Sequence, residues 1–189
     1  PDNSRYYYFN EGIINGKYIS KKGYYEEGVK LETIPMFLKG GSIVFKKERY
    51  RRSTRAMVDD PYHIIIGLDE NESANGKLYI DDGATFEYLD GKFSILEIRA
   101  SGLEISSKLN DEGSAINEKV VVEKISIVGG NFQDIKNVVI EQEGSKWHAV
   151  AEFLEKEQVL VIKNPRVSIL KVWKIKPLKD SPFTDHDEL

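Results

Sequence analysis

Cysteine is absent from the 189 residues, which removes disulfide frameworks and thiolate metal sites and leaves the redox compartment open. Long apolar runs are also missing. None approaches the roughly 18–20 residues a spanning helix needs, so no membrane span is expected. Nor is there an excess of one charge: 27 Lys and Arg face 31 Asp and Glu, a net −4 with the signs interspersed. A nucleic-acid partner wants a basic face and is not expected. Histidine is scarce. His63, His148 and His186 are isolated along the chain, and none has a metal-ligand spacing. P-loop, nucleophile-elbow and dinucleotide fingerprints are all missing, so neither a cofactor nor a metal site is expected.

What is present is enough apolar material, 40% of residues, for a substantial core. Its pattern is that of short strands. His63–Leu68 (HIIIGL) is a continuous apolar run of strand length, as a strand buried on both faces would be. Lys77–Ile80, Thr85–Tyr88, Phe93–Arg99, Leu103–Leu109, Val120–Val128, Lys136–Glu141, Trp147–Phe153, Val159–Ile162 and Ile169–Ile175 follow, most of them separated by Gly or Asx turns. Asn15-Gly16 reads as a type I′ hairpin turn between Ile13-Ile14 and Tyr18-Ile19. Asp81-Asp82-Gly83 reads as the turn of a second hairpin that Thr85–Tyr88 completes. Few windows carry a 3.6-residue period. The fold expected is all-β, an antiparallel sandwich preceded by part of another.

The tail from Pro177 is proline-bearing and polar, and it is expected to be a disordered, solvated extension over 177–189. It ends in His186-Asp187-Glu188-Leu189, an ER-retention signal that a receptor reads. Retention presupposes entry into the ER, yet no entry signal opens the chain. A C-terminal piece of a longer, ER-lumenal protein is therefore the expectation. In that lumen Asn71-Glu72-Ser73 would be an N-glycosylation sequon on Asn71.

Candidate chemistry rests on a few residues. Asp59-Asp60 and Asp81-Asp82 suggest a glycosidase carboxylate pair, but a retaining site needs two carboxyl groups about 5 Å apart across one bond. Neighbours on an extended backbone point to opposite faces, so both pairs read better as turns. A Ca²⁺ site at Asp81-Asp82 is the minor alternative, without a spaced ligand series to support it. Gly40-Gly41 reads as a strand entry needing unusual backbone angles. Arg49–Arg55 holds four arginines, whose forks suit a docking face or the nearby acidic turn Asp59-Asp60. Tyr6, Tyr7, Tyr8, Tyr18, Tyr24 and Tyr25 crowd the first segment. They read as strand formers, with a sugar-stacking platform as the functional alternative.

The segments LETIPMFLKGGSIVF (Leu31–Phe45), RYRRST, DDP and GKLYIDDGATFEY (Gly76–Tyr88), in this order and spacing, resemble the C-terminal part of family 31 glycoside hydrolases, over about Pro1 to Lys176. The resemblance implies an ER member of that family, a retaining α-glucosidase that trims glucose from N-linked glycans. It implies residues 1–60 as the later strands of a truncated proximal sandwich and 61–176 as the distal sandwich. The family's catalytic aspartates lie in an upstream (β/α)₈ barrel, so no catalytic residue is carried over and the chain by itself is expected to be inert. The implied partners are that barrel, glucosylated N-glycan carbohydrate, a non-catalytic β subunit and the retention receptor. In the ER member that the resemblance implies, the retention tetrapeptide sits on the β subunit; here it ends the chain itself. The alternative is a carbohydrate- or subunit-binding sandwich module of an ER protein.

Overall fold

The computed structural model describes residues 4–10, 13–20, 23–110 and 120–178; the His186–Leu189 tetrapeptide lies outside them. Thirteen strands and two short 3₁₀ turns make up the regular structure among these residues. Among the described residues no helix is long and apolar enough to cross a membrane. The all-β expectation holds.

Two sheets share the strands. A small antiparallel sheet has the order β2 (Ile13–Ile19), β1 (Tyr6–Asn10), β3 (Phe37–Lys39). The large sheet begins with β4 (Ser42–Lys46), β5 (Tyr62–Gly67), β6 (Ser73–Ile80), β7 (Ser94–Ser101) and β8 (Glu104–Asn110). It continues with β9 (Val122–Val128), β10 (Asn137–Gln142), β11 (Ser145–Leu154), β12 (Val159–Lys163) and β13 (Trp173–Pro177). Its ladder runs β10-β11-β12-β9-β5-β4-β6-β7-β8-β13 and closes because β13 pairs back onto β10. Closure leaves no free edge in this ring, which removes the usual liability of an open sheet. The pairing is antiparallel except between β5 and β9, which run parallel through Tyr62–Gly67, and at one β4–β6 bridge, Ser42 to Asn75.

Strand patterning explains the core. In β7 every second residue, Ser94, Leu96, Ile98 and Ala100, turns inward, as a half-buried strand requires. β5 is different, and the continuous HIIIGL run shows why. Ile64 and Ile66 enter the ring interior, while Ile65 points the other way into a second cluster with Tyr7, Ile14 and Leu38 of the small sheet. The small sheet covers the outer face of β5, so both faces are dry. Each such fully buried isoleucine contributes roughly 1.5–3 kcal/mol.

The chain passes from the small sheet to the large one at Gly40-Gly41. Gly41 has φ +87°, a left-handed conformation that favours glycine. Its N–H donates to Gly67 O at 2.8 Å, while that of Gly40 donates to Arg5 O at 2.7 Å. β4 belongs to the large sheet by its hydrogen bonds to β5, although it lies within the 1–60 span.

Three local readings need correction. Asn15-Gly16 is not a hairpin turn; it lies inside β2, with Asn10 already paired to Ile13. Gly16 is there for room: its N–H donates to Glu157 O at 2.7 Å, and a Cβ would run into Gln158. Thr85–Tyr88 is not a strand. Asp82 Oδ1 accepts from the Ala84 and Thr85 N–H groups, Asp82 Oδ2 accepts from Thr85 Oγ1 at 2.6 Å, and a 3₁₀ turn follows at Glu87–Asp90. These local bonds give the backbone an alternative to a ladder. Pro177 is part of β13, and Leu178 N–H donates to Asn137 O, so these two residues belong to the sheet rather than to the expected tail, whose remainder lies outside the described residues.

Candidate functional site

The junction between the two sheets holds the polar and aromatic residues the sequence singled out. Tyr7, fully buried, joins the sheets by donating its Oη–H to Leu68 O at 2.5 Å. Beside it, Arg5 donates to Gly129 O at 2.8 Å and lies over the Tyr18 ring at 5.2 Å. The other tyrosines separate. Tyr8 and Tyr25 share a hydroxyl contact at 2.5 Å around Phe37, with Glu27 bound to Tyr25, while Tyr24 stands fully in solvent. The cluster is thus no single stacking platform. Arg5, Gly16, Tyr18, Gly129, Gly130 and the loop and hairpin residues around them enclose a cleft of about 710 Å³.

The basic connector folds back on the acidic turn, as their proximity in sequence suggested. Arg51 grips Asp60 with Nη2 to Oδ1 at 2.6 Å and Nε to Oδ2 at 2.9 Å, the fork geometry that suits guanidinium to carboxylate. The Arg51 bond holds the Asp60 carboxyl below its usual range. Lys47 donates to the Met57 and Val58 carbonyls at the end of the 3₁₀ turn Thr54–Met57 and sits 4.6 Å from the Tyr62 ring. Asp60 is thereby committed to structure, and so is Asp82 to its loop. No group of three His, Asp or Glu side chains that could hold a metal is found among the described residues.

His63 is not isolated in space. Its Nδ1 lies 2.7 Å from Glu48 Oε1 and its Nε2 lies 2.8 Å from Ser126 Oγ. Lys124 Nζ binds Glu48 Oε2 at 2.8 Å. Burial pushes the imidazole down to about 4. Partial burial pushes the Glu48 carboxyl up, but its bonds from Lys124 and His63 outweigh this and bring it down to about 2. At neutral pH the ring is therefore neutral, its Nδ1–H donating to the carboxylate and its Nε2 accepting from the Ser126 hydroxyl.

Serine, histidine and carboxylate in this order have the connectivity of a nucleophile relay, yet the setting forbids the chemistry. Ser126 is 4% exposed in the middle of β9, with Ile65 on one side and Val161 on the other. A substrate carbonyl has no route to its Oγ, and the ladder occupies the N–H groups an oxyanion hole would need. The network ties the segment just after β4 to β5 and β9. Sequence reasoning missed it because Glu48 meets His63 through the antiparallel β4–β5 ladder and Ser126 meets it through the parallel β5–β9 pairing, neither of which a motif announces.

His148 is exposed on β11. Asn71 is exposed in the Asp69–Ser73 loop, where Asp69 Oδ1 accepts from the Asn71 and Ser73 N–H groups.

Nearly the entire chain finds a counterpart among solved structures. It superposes on the catalytic subunit of an ER glucosidase II heterodimeric complex, crystallised with the binding domain of the regulatory subunit. The TM-score is 0.78 at 29% identity, over 94% of this chain and 20% of that one. The chain is homologous to the glucosidase II α subunit. Curated sequences agree: a neutral α-glucosidase AB from Dictyostelium discoideum is 45% identical over 109 residues, 57% of this chain and 12% of that protein. The Sus scrofa neutral α-glucosidase AB is 32% identical over 149 residues, 78% of this chain and 16% of that protein. A family 31 dextranase of Flavobacterium johnsoniae, at 19% identity and TM-score 0.65, shares the fold. No family model matches the chain. The chain spans less than a fifth of the length of these two curated relatives, and it corresponds to part of a larger enzyme.

Proposed function

We propose that this chain is a non-catalytic, C-terminal scaffold of an ER α-glucosidase that trims glucose from N-linked glycans. The observation that carries the reading is the superposition of 94% of the chain on one fifth of a glucosidase II catalytic subunit. The commitments of Asp60 to Arg51 and of Asp82 to its own loop support it, since neither carboxylate is available to a glycosidic bond. In this reading residues up to about 60 finish a proximal sandwich, apart from β4, which pairs into the large sheet, and 61–176 form the distal one. The parent's catalytic barrel packs against them, and a β subunit is a further partner. The His186-Asp187-Glu188-Leu189 ending addresses the protein to the ER lumen through the retention receptor, and Asn71 receives an N-glycan there.

The test is hydrolysis of a chromogenic α-glucoside by the 189-residue chain and, in parallel, by the product of the full reading frame. Turnover is expected from the longer protein alone. Turnover by the 189-residue chain would refute the scaffold role, and silence from both would refute the α-glucosidase assignment.

A further inference from the structure

The cleft at the sheet junction has a composition that the scaffold role does not use. Its floor is backbone, Gly16 from β2 and Gly129-Gly130 after β9. One wall is Tyr18, 48% exposed, with Arg5 over its ring. The opposite wall is Phe153 and the β11–β12 hairpin, which Gly16 holds in place through Glu157. Three amide side chains, Asn131, Gln133 and Gln158, line the same space. All three are exposed, and none hydrogen-bonds another described residue.

The chemistry selects a ligand class. The Arg5 guanidinium is already committed to Gly129 O and the Tyr18 ring. The other charged groups lining the cleft, Asp134 and Glu155, are both negative. Two carboxylates against one cation give the lining a net negative charge, which disfavours phosphate and other anions. Free amides and carboxylates offer the donors and acceptors that vicinal hydroxyls pair with, and an exposed phenol ring offers an apolar face with a polar rim. A volume of about 710 Å³ is that of a small-molecule site. We infer that this cleft binds a neutral saccharide of two or three hexose units, one ring packed on Tyr18 and its hydroxyls held by Asn131, Gln133 and Gln158. The proposal does not depend on the glucosidase reading; if that reading holds, the cleft is a glycan-holding site on the same protein.

The test is a titration of the ¹⁵N-labelled 189-residue chain with maltose and with nigerose, followed by amide chemical shifts, with inorganic phosphate as the charged control. Saturable shifts at Tyr18, Asn131, Gln133 and Gln158 are expected, with Kd on the order of 1 mM. Tyr18→Ala and Gln158→Ala are each expected to weaken binding about tenfold or more. Should Tyr18→Ala lose its shift dispersion, the exposed-loop double variant Asn131→Ala/Gln133→Ala provides the same readout. Absence of shifts with both sugars at tens of millimolar overturns the inference. So does binding that the variants leave unchanged, or phosphate moving the same amides with equal affinity. Hydrolysis is not measured, so a negative result leaves the α-glucosidase reading to its own assay.

Discussion

Acid should loosen this fold through His63, and the size of the effect can be worked from its surroundings. The ring is 6% exposed and must desolvate a charge if it protonates in place. Lys46 and Lys124 oppose the imidazolium, and Glu48 favours it. The folded-state value of about 4 lies below the ordinary 6.5, so between these two pH values the unfolded chain binds the extra proton. Stability is therefore fully present above about pH 6.5 and is lost as pH falls towards 4. At 1.36 kcal/mol per unit the loss between pH 7 and pH 4 is about 3 kcal/mol. Glu48, held down to about 2, acts with the same sign in the lower window below its ordinary carboxyl range. It is 40% exposed in its side chain, so solvent screening makes its share smaller. Urea unfolding of the wild type and His63→Gln at several pH values between 7 and 4 reads the histidine together with its bond to Glu48, because every other carboxylate is common to both. The variant should lose about 3 kcal/mol less than the wild type across that range. Parallel pH profiles, agreeing within about 0.5 kcal/mol, would refute a buried neutral ring.

Tyr7→Phe removes only the hydroxyl that reaches Leu68 O and leaves a buried carbonyl short of a partner. It should cost about 1–2 kcal/mol in urea unfolding, and a cost below about 0.3 kcal/mol would mean the sheets are not joined there. Expressed in a eukaryotic secretory pathway behind an entry signal, the chain should run larger by one glycan that endoglycosidase H removes. Asn71→Gln should abolish that shift, and deleting Asp187–Leu189 should release the protein to the medium. A chain that shows neither behaviour has neither the sequon use nor the address proposed for it.

How far the sequence carried these conclusions depended on the range of the interaction that decided each feature. The HIIIGL run announced a strand dry on both faces because burial is written into composition, and Ile64, Ile65 and Ile66 divide between two cores accordingly. The Arg51–Asp60 clasp was also legible, since complementary charges nine residues apart need only one turn to meet. Asn15-Gly16 misled because the same two residues serve two purposes. Their preference for φ > 0 makes a hairpin turn, but here the missing Cβ of Gly16 admits the β11–β12 hairpin, a partner more than a hundred residues away. Thr85–Tyr88 misled for a local reason, the capture of Ala84 and Thr85 by Asp82. The His63 network and the cleft were out of reach altogether. Each depends on which strands become neighbours, and the parallel placement of β9 beside β5 is set by closure of the whole ring rather than by any motif.

The scaffold reading and the cleft draw on different parts of the small sheet, which is why both can hold. One face of that sheet is spent on docking: Tyr7, Ile14 and Leu38 meet Ile65 and Val161. Between β2 and β3, Tyr25 and Glu27 meet Tyr8, but the aliphatic side chains that follow them stay in solvent. Leu31 is 100% exposed and Ile34 81%, with Val29 and Met36 beside them in solvent, and an apolar hollow of about 390 Å³ opens next to Met36 and Phe37. A run of bare aliphatic side chains is costly to leave in water, and soluble monomers keep such patches small. The proposed barrel of the parent enzyme would cover this segment. The saccharide cleft lies along β2 and the β11–β12 hairpin instead, lined by residues such as Tyr18 and Gln158 that the bare segment does not share. Burial of the bare segment by the parent would therefore not require any of the residues that line the cleft.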